Sequence, residues 1–271
     1  MKAFRVCVLV VFVITLCFYC IFLWRSARED DTIPTITVPE GILVVSFTAD
    51  DTEFLRGITA YDEKDGDLSD RVFVESVSRF IEPGVSIVTY AVYDEDNHAA
   101  SATRRVRYNG YTPPHFTMQR SLVFSLSDKV TILDCLGAVD VIDGDITGNI
   151  VLTSSDYRAN TAGVFYISAK AANSKGDVIY IDLPIYVENE SRAAPAIRLR
   201  DYIVYLAVGG SYDITANVVS AENANYEPVE VMIDTDLNTA VPGTYEVHYY
   251  ATDEFGRRGH AILMVVVEEA A

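Results

Sequence analysis

Carboxylates recur in this chain at a spacing that suits a hard cation. Asp62-Glu63-Lys64-Asp65-Gly66-Asp67-Leu68 is followed 78 residues on by Asp140-Val141-Ile142-Asp143-Gly144-Asp145-Ile146. Ca²⁺ takes about six to eight oxygen ligands, carboxylates prominent among them. If each acidic stretch is a loop beside the later Asp94-Glu95-Asp96-Asn97 or Asn173–Asp177, ligands converge. Asp62, Asp65, Asp67, Asp94 and Asp96 would meet in the first copy, and Asp140, Asp143 and Asp145 in the second. Turn chemistry explains the same residues without a metal: Asp side chains accept from nearby backbone N–H groups, and Gly takes a left-handed conformation. The spacing is not that of an EF-hand, which places a Glu at its twelfth position. Calcium and turn chemistry both stand at this point, and no other cofactor is indicated.

Other reactive types do not form sets. His98, His115, His248 and His260 are scattered without metal-ligand spacing. There is no Gly-rich phosphate loop and no Gly-x-Ser-x-Gly. Cys7, Cys17 and Cys20 fall in the apolar N-terminal stretch, which leaves Cys135 alone in the body, unable to make an internal disulfide. Modules without disulfides outside a cell fit a bacterial surface better than an animal secretory pathway. An enzyme is not expected, because no constellation of catalytic groups is present.

These residues must be held by something that repeats. Gly84, Gly163 and Gly243 each open a strand-like run, and ten residues later stands Asp94, Asn173 or Asp253. Pro34, Pro114 and Pro195 restart the pattern at spacings of 80 and 81 residues. A fixed long period means an array of like modules. Within each, short alternating runs such as Ile42 to Phe47 and Val85 to Tyr93 are cut by turn residues, which predicts antiparallel sandwiches and no helical period. The third copy departs: Ser220 to Glu227 stands where the Asp-Gly-Asp turn belongs. Short linkers at 109–113 and 189–194 predict semi-rigid neighbours, more a rod than beads on a string.

Asp-x-x-Asp-Gly-Asp-[Leu/Ile] followed by Pro83-Gly84 or Pro242-Gly243-Thr244-Tyr245, and then by Tyr249-Tyr250-Ala251-Thr252-Asp253, resembles the bacterial immunoglobulin-like repeat of pesticidal crystal proteins and Gram-positive surface proteins. It is also similar to cadherin-like envelope repeats. The resemblance spans about 34–268 and implies immunoglobulin-like sandwiches used as spacer, stalk or adhesive surface, with no catalytic residues.

The N-terminus differs in kind. Val6 to Trp24 is 19 residues without a charge, about 28 Å as a helix, against a bilayer core of about 30 Å. It predicts an uncleaved signal anchor. All the basic residues before the first acid, Lys2, Arg5, Arg25 and Arg28, lie here, so the remainder is more acidic than the chain's net −18. Such a body repels nucleic acid. The expected organisation is an anchor over 1–31 and three modules over 32–108, 109–188 and 189–271. The expected protein is all-β after one transmembrane helix: a single-pass cell-membrane protein with its body outside, a bacterial stalk or adhesion module. Its partners would be the membrane, through the helix, and an envelope protein or a glycan; the alternative is a carbohydrate- or cell-wall-binding surface protein. Tyr202, Tyr205 and Tyr226 are the candidate binding tyrosines of the third module.

Overall fold

A computed structural model describes residues 2–26, 32–126, 128, 131–158, 160–189, 191 and 193–269, with side chains in the first stretch described from Val8 to Trp24. Helix α1 (Lys2–Ser26) comes first. Its described side chains, Val8 to Trp24, are all exposed. Among the described residues no helix is long and apolar enough to cross a membrane; the charge-free run of the sequence starts earlier, at Val6.

The rest is β-structure. The first sandwich contains β1 (Thr35–Thr37), β2 (Leu43–Val45), the one-turn α2 (Asp51–Phe54), β3 (Thr59–Asp62), β4 (Gly66–Asp67), β5 (Phe73–Val77), β6 (Val85–Tyr93) and β7 (Ala99–Tyr108). One sheet runs β1-β3-β4 and the other β2-β7-β6-β5, with β2 parallel to β7. Alternation decides the faces: Val88, Tyr90 and Val92 of β6 are fully buried, while Arg105 and Arg107 of β7 face water.

The second sandwich repeats this with β8 (His115–Met118), β9 (Val123–Ser125), β10 (Leu136–Asp140), β11 (Gly144–Asp145), β12 (Val151–Ser155), β13 (Gly163–Ala172) and β14 (Val178–Glu188). Its sheets are β8-β10-β11 and β9-β14-β13-β12, with β9 parallel to β14. The third has β15 (Ala196–Leu199), β16 (Ile203–Ala207), β17 (Val218–Glu222), β18 (Val231–Thr235), β19 (Gly243–Thr252) and β20 (Arg258–Glu268). Here β15 pairs β17, and the second sheet runs β16-β20-β19-β18, with β16 parallel to β20. Among the described residues this small sheet has two strands, with a single Glu222–Pro228 bridge where the other sandwiches have β4 and β11.

Compactness divides the chain into two units, Met1–Gly110 and Tyr111–Ala271. The second and third sandwiches thus form one body. Strand β20 is the reason. Ala261, Leu263, Val265 and Val267 point into the third sandwich's own core, while Ile262 and Met264 on its other face join the core of the second. The linker over 189–194 therefore does not separate two beads. A strand apolar on both faces must be covered on both.

Candidate functional site: paired loops at the sandwich ends

Two turns recur, and their side chains explain why. In the acidic turn of the first sandwich, Asp62 Oδ1 accepts from Lys64 N (2.8 Å) and Asp65 N (3.1 Å), and its carboxylate also accepts from Thr32 Oγ1. Asp67 Oδ1 accepts from Ser69 N (2.9 Å) and Ser69 Oγ (2.6 Å). The second sandwich repeats the three backbone bonds. Asp140 Oδ1 accepts from Ile142 N and Asp143 N, both at 2.9 Å, and Asp145 Oδ1 from Thr147 N at 2.9 Å. Gly66 (φ 79°) and Gly144 (φ 72°) supply the left-handed residue this turn needs. Hydrogen bonds from Ser69 and Thr147 hold Asp67 and Asp145 below the usual carboxylate range.

The second turn spans five residues and occurs four times: Asp94–His98, Asn173–Asp177, Asn223–Glu227 and Asp253–Arg257. Its first side chain accepts from the amide four residues on, at 2.7, 2.9, 3.0 and 2.9 Å respectively. The first amide donates back to the fifth carbonyl. The fourth residue is left-handed in every copy: Asn97, Gly176, Tyr226 and Gly256. This is a type I turn closed by a left-handed residue, a common hairpin connection. In the third sandwich this turn, at Asn223, takes the place of the missing acidic one.

Where both turns exist, they are tied. Asp65 Oδ2 accepts from Glu95 N at 2.7 Å, and Lys64 pairs with Asp96. In the second sandwich Asp143 accepts from Ser174 N (2.5 Å) and Ser174 Oγ (2.7 Å), while Asn173 Nδ2 donates to Asp140 Oδ2 (3.1 Å). Tyr111 adds a hydroxyl, donating to Asp177 at 2.5 Å and accepting from Asn173 Nδ2 at 3.1 Å. Burial, and next the Asp177 carboxylate, push the Tyr111 hydroxyl well above its ordinary range. Burial also pushes the Asp94 carboxyl up, but the His98 amide and ring outweigh it and hold it below the carboxylate range.

The two loops are tied to each other in both sandwiches, but the carboxylates do not aim at a common point. Asp62, Asp65 and Asp94 turn to backbone donors, Asp67 to Ser69 and Asp96 to Lys64. Asp140, Asp143 and Asp145 accept from amides, Asn173, Ser174 and Thr147. Among the described residues no group of three or more His, Cys, Asp or Glu side chains is placed to hold a metal ion. What the arrangement does chemically is close loops: Asp62 and Asp140 satisfy half-buried amides, and Asp65 and Asp143 accept from exposed amides of the facing turn.

The three tyrosines divide. Tyr202 packs against both cores of the second unit, and the Tyr205 hydroxyl accepts from Phe116 N at 3.0 Å with its ring edge-on to His115. Both are half-buried packing residues, Tyr202 just before β16 and Tyr205 within it. Tyr226 is exposed in its left-handed turn. Other exposed aromatics escaped the sequence reading: the stacked pair Phe73 and Tyr93, and Tyr166 and Tyr180 on the outer face of β13 and β14. Their signal was strict alternation, which puts them opposite the buried Phe165, Ile167 and Ile181. Cys135 is buried, and burial pushes its thiol up.

No known family profile matches the chain. Among curated proteins it is 25% identical over 175 residues to an uncharacterized 81.3 kDa protein of Acholeplasma phage L2, covering 61% of this chain and 22% of that one. It is 29% identical over 145 residues to the pesticidal crystal protein Cry22Aa of Bacillus thuringiensis, covering 49% and 18%. The chain thus spans about a fifth of the length of these relatives. Among solved structures, Drosophila N-cadherin EC1-3 matches over 90% of this chain and 91% of that one, at 12% identity and a TM-score of 0.31. A Clostridium perfringens ZmpB structure with CBM51-2 in complex with GlcNAc matches over 57% and 42%, at 14% identity and a TM-score of 0.30.

Proposed function

We propose that the chain is a membrane-anchored surface protein in which tandem immunoglobulin-like sandwiches act as a stalk or adhesion module, held outside the cell by α1. One observation carries this reading. Every described side chain of α1 is exposed, from Val8 to Trp24, and nearly all are apolar. An apolar surface that the protein itself leaves uncovered marks contact with a membrane or another protein. With the charge-free Val6 and Cys7 added, the run reaches the length of a bilayer core. The acidic body supports an exposed, soluble location. Similarity confined to a fifth of two much longer proteins supports a portable module over a complete activity. No bound metal is invoked: the acidic turns act as loop locks.

The test is fractionation of cells expressing the full chain or a version lacking residues 1–31. The full chain should stay with membranes through alkaline carbonate and be shaved by protease on intact cells, and the truncated form should be soluble. Carbonate release of the full chain, or protection of the body from external protease, would refute the anchored-outside reading. A second reading, glycan or cell-wall binding, is favoured by the exposed Phe73–Tyr93 pair and by Tyr166 and Tyr180, since aromatic faces are platforms for sugar rings. Binding to isolated cell wall that is lost on Phe73→Ala or Tyr180→Ala would establish it. Equal retention of those variants would exclude these residues.

A further inference from the structure

Where β14 of the second sandwich meets β19 and β20 of the third, an unbroken line of polar groups crosses the contact. Glu188 Oε1 lies 2.7 Å from His260 Nδ1, and His260 Nε2 lies 3.0 Å from His248 Nδ1. His248 Nε2 lies 3.3 Å from Glu246 Oε2, which also accepts from the Tyr186 hydroxyl at 2.7 Å. The histidines are the covered part of the line: the His260 side chain is 2% exposed and that of His248 18%, while Glu188 and Glu246 are 30% and 28% exposed. Aromatic rings box it in. Tyr186 stands edge-on to both histidines, and Tyr250 stacks on His260 at 4.5 Å. Beside it, Ile262 N donates to Ser121 Oγ at 2.8 Å, and Ile262 and Met264 enter the second sandwich's core.

The protons can be counted. A carboxylate only accepts, so Glu188 requires a proton on His260 Nδ1, and Glu246 requires one on His248 Nε2. The central nitrogen pair, 3.0 Å apart, has room for one shared N–H. That totals three ring protons on two imidazoles, one more than two neutral rings carry. A fourth would set two N–H groups head to head. We propose that this line is a proton-counting latch between the second and third sandwiches, closed with one surplus proton on the histidine pair and sprung when both imidazoles are charged.

The surrounding charges fit a singly charged pair. Asp234 of β18 stands opposite His248 in the sheet register, and Asp236 lines the same cleft. Arg258 stacks over the far side of Tyr250, and Arg120 and Asp128 line the cleft beside His260. The His248 hydrogen bond outweighs burial at Glu246 and holds that carboxyl below its ordinary range. Glu246 therefore stays an acceptor while histidine titrates. The line is therefore complete only with the single surplus proton: its loss leaves one of the three contacts without a hydrogen, and a second surplus proton sets two N–H groups head to head. Nothing in the carboxyl-lined turns has this property, so the device is separate from the loop locks and independent of the anchoring proposal.

The test is hydrogen exchange of the full-length chain, read by mass spectrometry from pH 8 to pH 5 and corrected for intrinsic rates. Segments 184–188, 246–250 and 260–264 should be best protected at an intermediate pH and lose protection on either side of it, most steeply toward pH 5, by up to tenfold per pH unit for one linked proton. Segments 85–93 and 99–108 of the first sandwich should not change. His248→Gln and His260→Gln, singly or together, should flatten the step, because a glutamine cannot take the extra proton. Flat protection in the wild type down to pH 5 would overturn the latch. So would a step that survives in either single variant, so the test holds even if the double variant does not fold.

Discussion

A single carboxylate oxygen closes each acidic turn, and that makes the residue scale testable. Asp62, 1% exposed, accepts from two successive amides through Oδ1. Asp62→Ala should cost about 1–2 kcal/mol, the usual penalty for losing such a cap. Asp62→Asn keeps the accepting oxygen, and Thr32 can rotate its hydroxyl to suit, so it should recover most of the loss. Thermal melts of the two variants check this, and equal destabilisation by both would mean the charge matters and the turn account is wrong. The same melts repeated with chelator and with millimolar Ca²⁺ should superimpose. A ligand at 100 times its dissociation constant would add about 2.7 kcal/mol, a shift of several degrees. Such a shift, absent in Asp143→Ala, would establish calcium at these ends after all. The composition of the acidic turn was legible in the sequence; which way each oxygen points was not. Asp-Gly-Asp spacing is common to metal loops and hydrogen-bonded turns, and only the donors across the loop, Glu95 N, Ser174 and Asn173 Nδ2, tell them apart.

At the scale of the element, two strands carry the same device. The Tyr90 hydroxyl donates to Phe54 O at 2.9 Å, and the Tyr249 hydroxyl donates to Ile214 O at 2.8 Å, each from a fully buried ring. Burial pushes the Tyr249 hydroxyl up to about 12. The second sandwich has the small, buried Ala169 four residues before its turn, where the others have tyrosine. Tyr90→Phe keeps the ring and orphans a buried carbonyl, so it should cost about 1–3 kcal/mol, read as a lower denaturation midpoint with an unchanged slope. A closer approach limits β20. A Cβ on Gly259 would lie 1.9 Å from Pro195 O and 2.9 Å from Pro195 C. The obstacle is backbone and cannot rotate away, so Gly259→Ala should separate β15 from β20 and cost at least the 1–3 kcal/mol of an overpacked core. Wild-type stability in this variant would show the two sheets to be looser than described. Strand existence was legible from alternation and turn residues. That β20 is covered on both faces was also written there, in the unbroken apolar run Ala261 to Val267, which contrasts with the alternating Arg105 and Arg107 of β7.

Reading that run as an ordinary closing strand hid the largest feature of the whole molecule, the fusion of the second and third sandwiches into one unit. Linker length suggested stiffness but could not say which faces touch, because contact is decided by side chains far apart in sequence: Ser121 with Ile262, Phe116 with Tyr205, Tyr186 with Glu246. Met264 tests the fusion. It sits on the third sandwich's β20, is 2% exposed, and belongs to the core of the second. Truncating it should cost about 2–5 kcal/mol. If the two sandwiches unfold together, Met264→Ala will lower the protection of β13 and β14 as much as that of β19 and β20, and leave β6 and β7 of the first unit unchanged. Loss confined to β19 and β20 would mean that the second sandwich keeps its core without the third, and that the contact is an interface between independent modules. Hydrogen exchange resolved by segment separates these outcomes. A shared loss also explains why a pH latch can sit there: a contact that contributes to both cores is one that a single extra proton can strain on both sides at once.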